Sequence, residues 1–105
     1  MMSPNLSYID KIAAGDHNFR KKLISIIKQE LPQEIELYED HIQNGTFEQR
    51  AGIVHKIKHK VSLLGMDNGY ALTAKYEENL RNGSLDGKEN FDQILKRIIT
   101  FIEEL

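Results

Sequence analysis

Apolar residues recur along the whole of this chain at intervals of three and four rather than two. That spacing places apolar side chains on one face of an α-helix, whereas a half-buried strand alternates apolar and polar residues. No segment of the sequence shows a convincing alternation. The spacing therefore predicts an all-α fold, and 105 residues are enough for one domain, residues 1–105, with a single core.

Helix-capping residues divide this pattern into one short helix and four longer ones. Ser3 and Pro4 predict the start of the short first helix, which Gly15 ends, and we expect it to cover one end of the core. Asp16 predicts the N-cap of a long second helix. Pro32 lies inside that helix and lacks a backbone donor, so we expect a kink or a break there.

Three further helices follow in the sequence. Thr46 and Gln49 form a capping-box pattern that opens the third helix, which ends near Gly65. The fourth helix follows the turn at residues 67–69, and the fifth begins after Asp86. Short turns between amphipathic helices predict an antiparallel, up-down-up-down four-helix bundle with the first helix as a cap. The apolar faces predict a core of Phe19, Leu23, Ile26, Ile27, Leu31, Ile35, Tyr38, Ile42, Phe47, Ala51, Val54, Ile57, Val61, Leu64, Leu72, Tyr76, Leu80, Phe91, Ile94, Leu95, Ile98, Ile102 and Leu105.

Composition excludes several classes of function. The net charge of -2 gives no overall attraction to nucleic acid or to an acidic membrane surface. The chain has no cysteine, which excludes disulfides and thiolate metal sites and suits a reducing compartment. The N-terminal residues lack the basic and apolar regions of a secretion signal, and no apolar run is long enough to span a bilayer. We therefore expect a cytoplasmic protein that binds neither membranes nor nucleic acid.

The predicted third helix carries an unusual group of histidines and lysines on its outer surface. His55 lies about 120° around the helix from the predicted core line, with His59 one turn further on. Histidine keeps an unprotonated nitrogen near neutral pH and can form a covalent bond to phosphorus. Lys58, one turn away, would stabilise the charge of an incoming phosphoryl group, and Lys56 and Lys60 add positive potential. This pattern predicts a phosphoacceptor histidine, His55.

A surface for a protein partner is predicted beside this histidine. Ser62 and Met66 fall on the same stripe of the helix as His59, and Leu63 projects on its far side, away from the core. Exposed apolar side chains at Leu63 and Met66 would offer docking area. We therefore expect His59, Ser62, Leu63 and Met66 to contact a partner.

The segment His55-Lys56-Ile57-Lys58, with Gly65 ten positions after the histidine, resembles the signature of the histidine-containing phosphotransfer (HPt) family. Glu77 and Arg81 stand where that family commonly has a glutamate and then a basic residue in the next helix. The resemblance covers most of the chain. It implies a four-helix bundle that accepts a phosphoryl group from an aspartyl-phosphate of one receiver domain and passes it to the aspartate of another.

By this resemblance His55 is the phosphorylated residue, Lys58 is its charge partner, and Arg81 belongs to the surface that docks the receiver. The protein would be a carrier and not an enzyme, without a cofactor of its own, because the receiver supplies the aspartate and magnesium of each transfer. The family usually has glycine directly after the conserved lysine, where this chain has His59. We expect that imidazole to hydrogen-bond either the phosphoryl group or the partner.

Two other functions remain open. One is an HPt-like regulatory module that docks a receiver or kinase domain without carrying phosphate, in which His59 blocks the transfer. The other is a zinc site, because histidines at positions i and i+4 can chelate one ion. Three lysines beside His55 and His59 would repel a dication, so we expect no bound metal.

Overall fold

The computed structural model of the protein describes residues 3–105, and all of the regular secondary structure in this range is helical. The all-α prediction is therefore confirmed for the described residues. Met1 and Met2, which belong to the predicted single domain, lie outside them. The five helices are α1 (Ser7–Ala13), α2 (His17–Asn44), α3 (Phe47–Leu63), α4 (Asp67–Arg81) and α5 (Lys88–Glu103).

Side-chain caps start two of the helices as predicted. The carboxylate of Asp16 accepts the backbone N–H of Phe19 at 3.0 Å at the start of α2. At the start of α3, the Thr46 hydroxyl accepts the N–H of Gln49 at 3.1 Å, and the Gln49 side chain accepts the N–H of Thr46 at 2.9 Å. The reciprocal capping box satisfies two backbone donors that the helix itself leaves free.

Two predicted helix starts are wrong. α1 begins at Ser7 rather than beside Pro4, because the Asn5 side chain accepts the N–H of Ser7 at 3.0 Å in a preceding turn. α4 begins at Asp67, so residues 67–69 form its first turn and not a turn before it. α5 begins after Asp86, as predicted, but no side chain caps it. It follows Gly87 instead, whose φ of 96° lies in the left-handed region that glycine adopts without strain.

Pro32 does not break α2, so that alternative is wrong. The helix runs without interruption over 28 residues with Pro32 inside it. Proline removes only one backbone donor, and Leu31 and Ile35 are buried on either side of it. Burial of this continuous apolar face offsets the missing hydrogen bond.

Most of the predicted core is buried, with a few exceptions. Leu72 is exposed because the buried face of α4 is formed by Gly69, Thr73, Tyr76, Glu77 and Leu80, one residue further round the helix. Phe19 and Ile26 on α2 and the last residue, Leu105, are also exposed, and Leu23, Ile42 and Phe47 are half-buried. The buried apolar cluster comprises Ile9, Ile27, Leu31, Ile35, Tyr38, Ala51, Ile53, Val54, Ile57, Val61, Leu64, Met66, Tyr76, Leu80, Phe91, Ile94, Leu95, Ile98 and Ile102.

Helices that follow each other in the chain pack side by side, α2 on α3, α3 on α4 and α4 on α5, and α5 also contacts α2. α1 packs on α2. The ring of Tyr38 in the second half of α2 lies 5.0 Å from that of Phe91 at the start of α5, and Lys28 in the first half of α2 donates to the carbonyl of Leu105 at 3.2 Å. These contacts mean that α2 and α5 run in opposite directions.

The described chain is elongated, with principal extents of 43 × 23 × 20 Å. None of the helices within residues 3–105 combines the length and the apolar character that crossing a membrane requires.

Candidate functional site

The candidate site lies where α3 and α4 pack together, and it centres on His55. The side chain of His55 is 48% exposed, so its predicted position on the flank of the helix is confirmed. Its neighbours Val54 and Ile57 are buried, and they anchor this turn of α3 in the core. The backbone under the imidazole is therefore held by packing while the ring itself meets solvent.

Glu77 in α4 is the residue that joins the site together. Its two carboxylate oxygens lie 3.1 and 3.3 Å from Nδ1 of His55. The Nζ atom of Lys58 lies 2.8 Å from Oε1 of Glu77. The Arg81 guanidinium donates to Oε2 through Nη2 at 2.8 Å and through Nε at 3.2 Å. One carboxylate thus contacts an imidazole, an ammonium and a guanidinium.

This carboxylate is ionised although it is nearly buried. The side chain of Glu77 is only 10% exposed, and burial by itself would raise the pKa of its carboxyl group. Hydrogen bonds from Lys58 and Arg81, and the positive charge around it, outweigh burial and lower the pKa of Glu77 below its ordinary value. Glu77 therefore carries a negative charge at neutral pH and can only accept hydrogen bonds.

Lys58 reaches the imidazole indirectly. Its side chain is 16% exposed, and its ammonium pairs with Glu77, which also contacts His55. The same ammonium lies 5.9 Å from the ring centre of Tyr70, whose side chain is 40% exposed on α4. Lys58 is thus fixed one turn from His55, on the side of the site that faces Tyr70.

Of the three lysines predicted to surround His55, Lys60 faces elsewhere. Its ammonium lies 3.0 Å from Glu30 and 2.8 Å from Glu34, both on α2. Burial would lower the pKa of Lys60, but its hydrogen bonds with Glu34 and Glu30 raise it. The prediction that Lys60 adds positive potential at the site is therefore wrong, because two carboxylates of α2 neutralise its charge.

His59 is exposed beside His55, as the helical spacing predicts. The two rings meet edge to face, with their centres 4.9 Å apart. Among residues 3–105 there is no group of three or more side chains arranged to hold a metal ion. The zinc alternative would have to rely on this imidazole pair alone, and the absence of a metal stays a prediction.

The predicted docking surface is only partly exposed. Met66 is fully buried in the core, so its assignment to a docking surface is wrong. Met66 follows Gly65, which has a φ of 71°, and its side chain lies beside Gly69 in the first turn of α4. Leu63 is half-buried and packs against the core, so it does not project away from it. Ser62 remains exposed, as does Arg81, whose side chain is 52% exposed.

Gly65 has a structural explanation within the chain itself. Its positive φ favours glycine, and a side chain there would collide with Asn5, whose Oδ1 atom would lie 2.6 Å from the new Cβ. The backbone N–H of Asn5 also donates to the carbonyl of Leu64 at 2.8 Å. The glycine ten positions after His55 thus serves the packing of the N-terminal segment.

Two residues near His55, Tyr70 and Gly52, were not predicted from the histidine and lysine motif of α3. Tyr70 lies on α4 over Lys58, and its place depends on how α3 and α4 pack. Gly52 lies on the exposed face of α3, one turn before His55. A glycine in a helix interior is itself a visible signal in the sequence, because glycine destabilises helices.

The chain matches none of the protein-family models, curated proteins or solved structures with which it was compared. The resemblance of its motif to the HPt family therefore stays a prediction, and its function is inferred from the geometry around His55 and Glu77.

Proposed function

We propose that this protein is a cytoplasmic histidine phosphocarrier of the HPt type in a multistep phosphorelay. His55 accepts a phosphoryl group from the aspartyl-phosphate of one receiver domain and passes it to the aspartate of another. The protein is a carrier in this scheme, and its partner supplies the catalytic aspartate and magnesium.

The helix contacts support a four-helix bundle as the scaffold for this function. Helices α2 to α5 contact one another in a closed ring, and α1 lies outside it against α2. Arg50 at the start of α3 donates to the carbonyl of His41 near the end of α2, and Lys60 pairs with Glu34 further back along α2. Contacts of this kind fit an antiparallel, up-down-up-down arrangement.

The contact between Glu77 and Nδ1 of His55 is the observation that carries the proposal. Because the ionised carboxylate can only accept, Nδ1 must carry the proton in this contact. In the neutral ring the other nitrogen, Nε2, then has a free electron pair. The structure gives Nε2 of His55 no hydrogen bond within residues 3–105, and the ring is 48% exposed. Such a nitrogen is available as a nucleophile.

The transfer of the phosphoryl group needs no reactant besides His55 and the aspartyl-phosphate of the receiver domain. The electron pair of Nε2 forms a bond to phosphorus while the bond between phosphorus and the aspartyl oxygen breaks, and that electron pair leaves with the partner's carboxylate. The imidazole keeps its Nδ1 proton and becomes positively charged. Glu77 accepts the hydrogen bond of that proton and stabilises the charge, while Arg81 and Lys58, which both pair with Glu77, add positive charge that attracts the phosphoryl oxygens.

The proposal is tested by transfer from receiver domains phosphorylated with radiolabelled acetyl phosphate. The wild-type chain should take up an acid-labile label, and the variant His55→Ala should take up none. His17→Ala is the matched control, since His17 is another exposed histidine on a helix, and it should be labelled like the wild type. The free energy of unfolding of both variants should lie within about 0.5 kcal/mol of the wild-type value, as is usual for surface substitutions.

The alternative, a docking module that carries no phosphate, predicts a different result. A receiver domain would then bind the wild-type chain, and His59→Gly would be needed before any label appeared. Label that persists in His55→Ala, or a wild-type chain that stays unlabelled with every receiver domain tried, contradicts the phosphocarrier proposal.

A further inference from the structure

Gly52 occupies a position where the fold itself gives no reason for glycine. It lies inside α3, five residues after the helix starts, and its side of the helix is exposed. Glycine is the least favourable residue in a helix interior apart from proline, because it loses the most backbone freedom on folding. Either a steric or a functional role can account for a glycine at such a position.

No steric reason exists within the described chain. A Cβ atom built on Gly52 would meet nothing within 4 Å. The φ angle of Gly52 is also not in the left-handed region, which contains only Ala14, Gly15, Gly65, Gly83 and Gly87 among residues 3–105. The space beside Gly52 therefore lies open to solvent, and an alanine would fit it without strain.

Gly52 lies on the exposed side of α3 together with the proposed nucleophile His55 and with His59, and we call these three positions the outer stripe. At 100° per residue, Gly52 and His59 project within about 20° of each other, one turn before and one turn after His55. Along the helix, the His55 imidazole therefore has a glycine without a side chain on one side and the imidazole of His59 on the other. A molecule that approaches His55 can come closest to the helix backbone at Gly52.

Arg81 lies on the same side of His55 as Gly52. Lys58 of α3 lies near Tyr70 of α4, and His55 contacts Glu77, so α4 runs antiparallel to α3. Arg81, one turn beyond Glu77, is therefore beside the part of α3 that precedes His55. Its side chain is 52% exposed, which leaves donors free for an anion.

We propose that the main chain of the phosphoryl-donor domain comes closest to this protein at Gly52. The donor then covers the N-terminal half of the outer stripe, reaches His55 from that side, and has its phosphoryl oxygens near Arg81. This inference rests on the proposed phosphocarrier function. It assigns to Gly52 a role in determining which partner can dock. Gly52 takes no part in the transfer of the phosphoryl group.

The test compares two kinds of phosphate uptake in a series of variants. The first is transfer from the receiver domain that labels the wild-type chain fastest in a panel phosphorylated with acetyl phosphate. The second is chemical labelling by phosphoramidate, a small donor that needs no docking. We expect Gly52→Ala to slow receiver transfer about 10-fold and Gly52→Leu about 100-fold, because a displacement near 1 Å has effects of that size. Phosphoramidate labelling should be unchanged.

Two controls separate close approach from other effects. Ser25→Leu adds the same apolar bulk to an exposed position of α2 and should leave both rates unchanged. Gly52→Ala should also raise the melting temperature by about 2–8 °C, which excludes unfolding as the cause of slower transfer.

Each outcome decides the question. Receiver transfer at the wild-type rate in both Gly52 variants overturns the proposed approach at Gly52 and leaves the phosphocarrier function standing. A wild-type chain labelled by no receiver domain overturns the phosphocarrier function, and the role of Gly52 with it.

Discussion

At the scale of single residues, the Glu77 carboxylate controls the charge around His55. It is 10% exposed and contacts three side chains that would otherwise repel one another when charged. Removing a nearly buried anion leaves Lys58, itself only 16% exposed, without its partner. Such groups cost more when left unpaired than their hydrogen bonds contribute when made.

We expect Glu77→Gln to lower the free energy of unfolding by about 1–3 kcal/mol, because Lys58 and Arg81 lose a charged acceptor. Phosphate uptake on His55 should also slow, since the amide no longer balances the positive ring. The matched control is Glu78→Gln, since the Glu78 side chain is 65% exposed and, within residues 3–105, pairs only with Lys75 at 3.9 Å. Urea unfolding that finds the two variants equally stable would contradict the role given to Glu77.

Acid should weaken the same interaction. The pKa of Glu77 is lower in the folded chain than its ordinary value of 4.5, so the folded state binds this proton less tightly than the unfolded state. The stabilisation is present above pH 4.5 and is lost as the pH falls through the folded pKa. The difference in unfolding free energy between the wild type and Glu77→Gln should therefore shrink between pH 7 and pH 3.

The sequence was sufficient to place His55 on the exposed flank of α3, but not to show which side chains contact it. Helical spacing alone puts His55 on the exposed flank, because that follows from its angle to the core line. The contacts of Glu77 and the burial of Met66 depend on how α4 lies against α3. The spacing within one helix contains no information about that packing.

At the scale of elements, local capping determines where α3 begins. Thr46 and Gln49 exchange two hydrogen bonds within four residues, and both partners are visible in the sequence. α3 carries His55 and Gly52, so the residue at which the helix begins determines which way these two positions face. The start of α5 is the converse case, because it follows a left-handed Gly87 and has no side-chain cap.

We expect Thr46→Ala to lower the free energy of unfolding by about 1 kcal/mol, because the N–H of Gln49 loses its acceptor. Thr100→Ala is the matched control. Thr100 is an exposed threonine inside α5 whose hydroxyl donates to the carbonyl of Lys96, so its removal should have little effect. Urea unfolding of both variants measures the difference, and a loss at Thr100 as large as that at Thr46 would contradict the capping role.

At the scale of the whole molecule, a buried aromatic cluster joins α2, α4 and α5. The hydroxyl groups of Tyr38 and Tyr76 lie 2.8 Å apart, and the ring of Phe91 lies 5.0 and 5.2 Å from theirs. Tyr38 also donates to Asp92 at a longer distance of 3.5 Å. Tyr38, Tyr76 and Phe91 are almost fully buried, so the cluster holds three helices in register at one end of the core.

We expect Tyr76→Phe to lower the free energy of unfolding by about 1–3 kcal/mol, because the buried Tyr38 hydroxyl keeps only the long contact with Asp92. Tyr70→Phe is the control, since Tyr70 is 40% exposed and should change stability by less than about 0.5 kcal/mol. Thermal or urea unfolding distinguishes the two.

Alkali should act on the same cluster. Burial, together with the neighbouring Tyr76 hydroxyl, raises the pKa of Tyr38 above its ordinary value of 10.0. The folded state therefore holds this proton more tightly, and its stabilisation is complete below pH 10 and is lost as the pH rises further. Tyr38→Phe should lose less stability between pH 9 and pH 11 than the wild type does.

The sequence by itself determined the helical class, most of the core and two of the helix caps, and it singled out His55. These features depend on hydrogen bonds and side-chain directions within a few residues, so a local pattern is enough to predict them. Only the tertiary structure decided that Glu77 joins His55, Lys58 and Arg81, that Lys60 turns to α2, and that Met66 is buried. Those contacts join residues of different helices, and they arise only when the helices pack and bury their apolar faces.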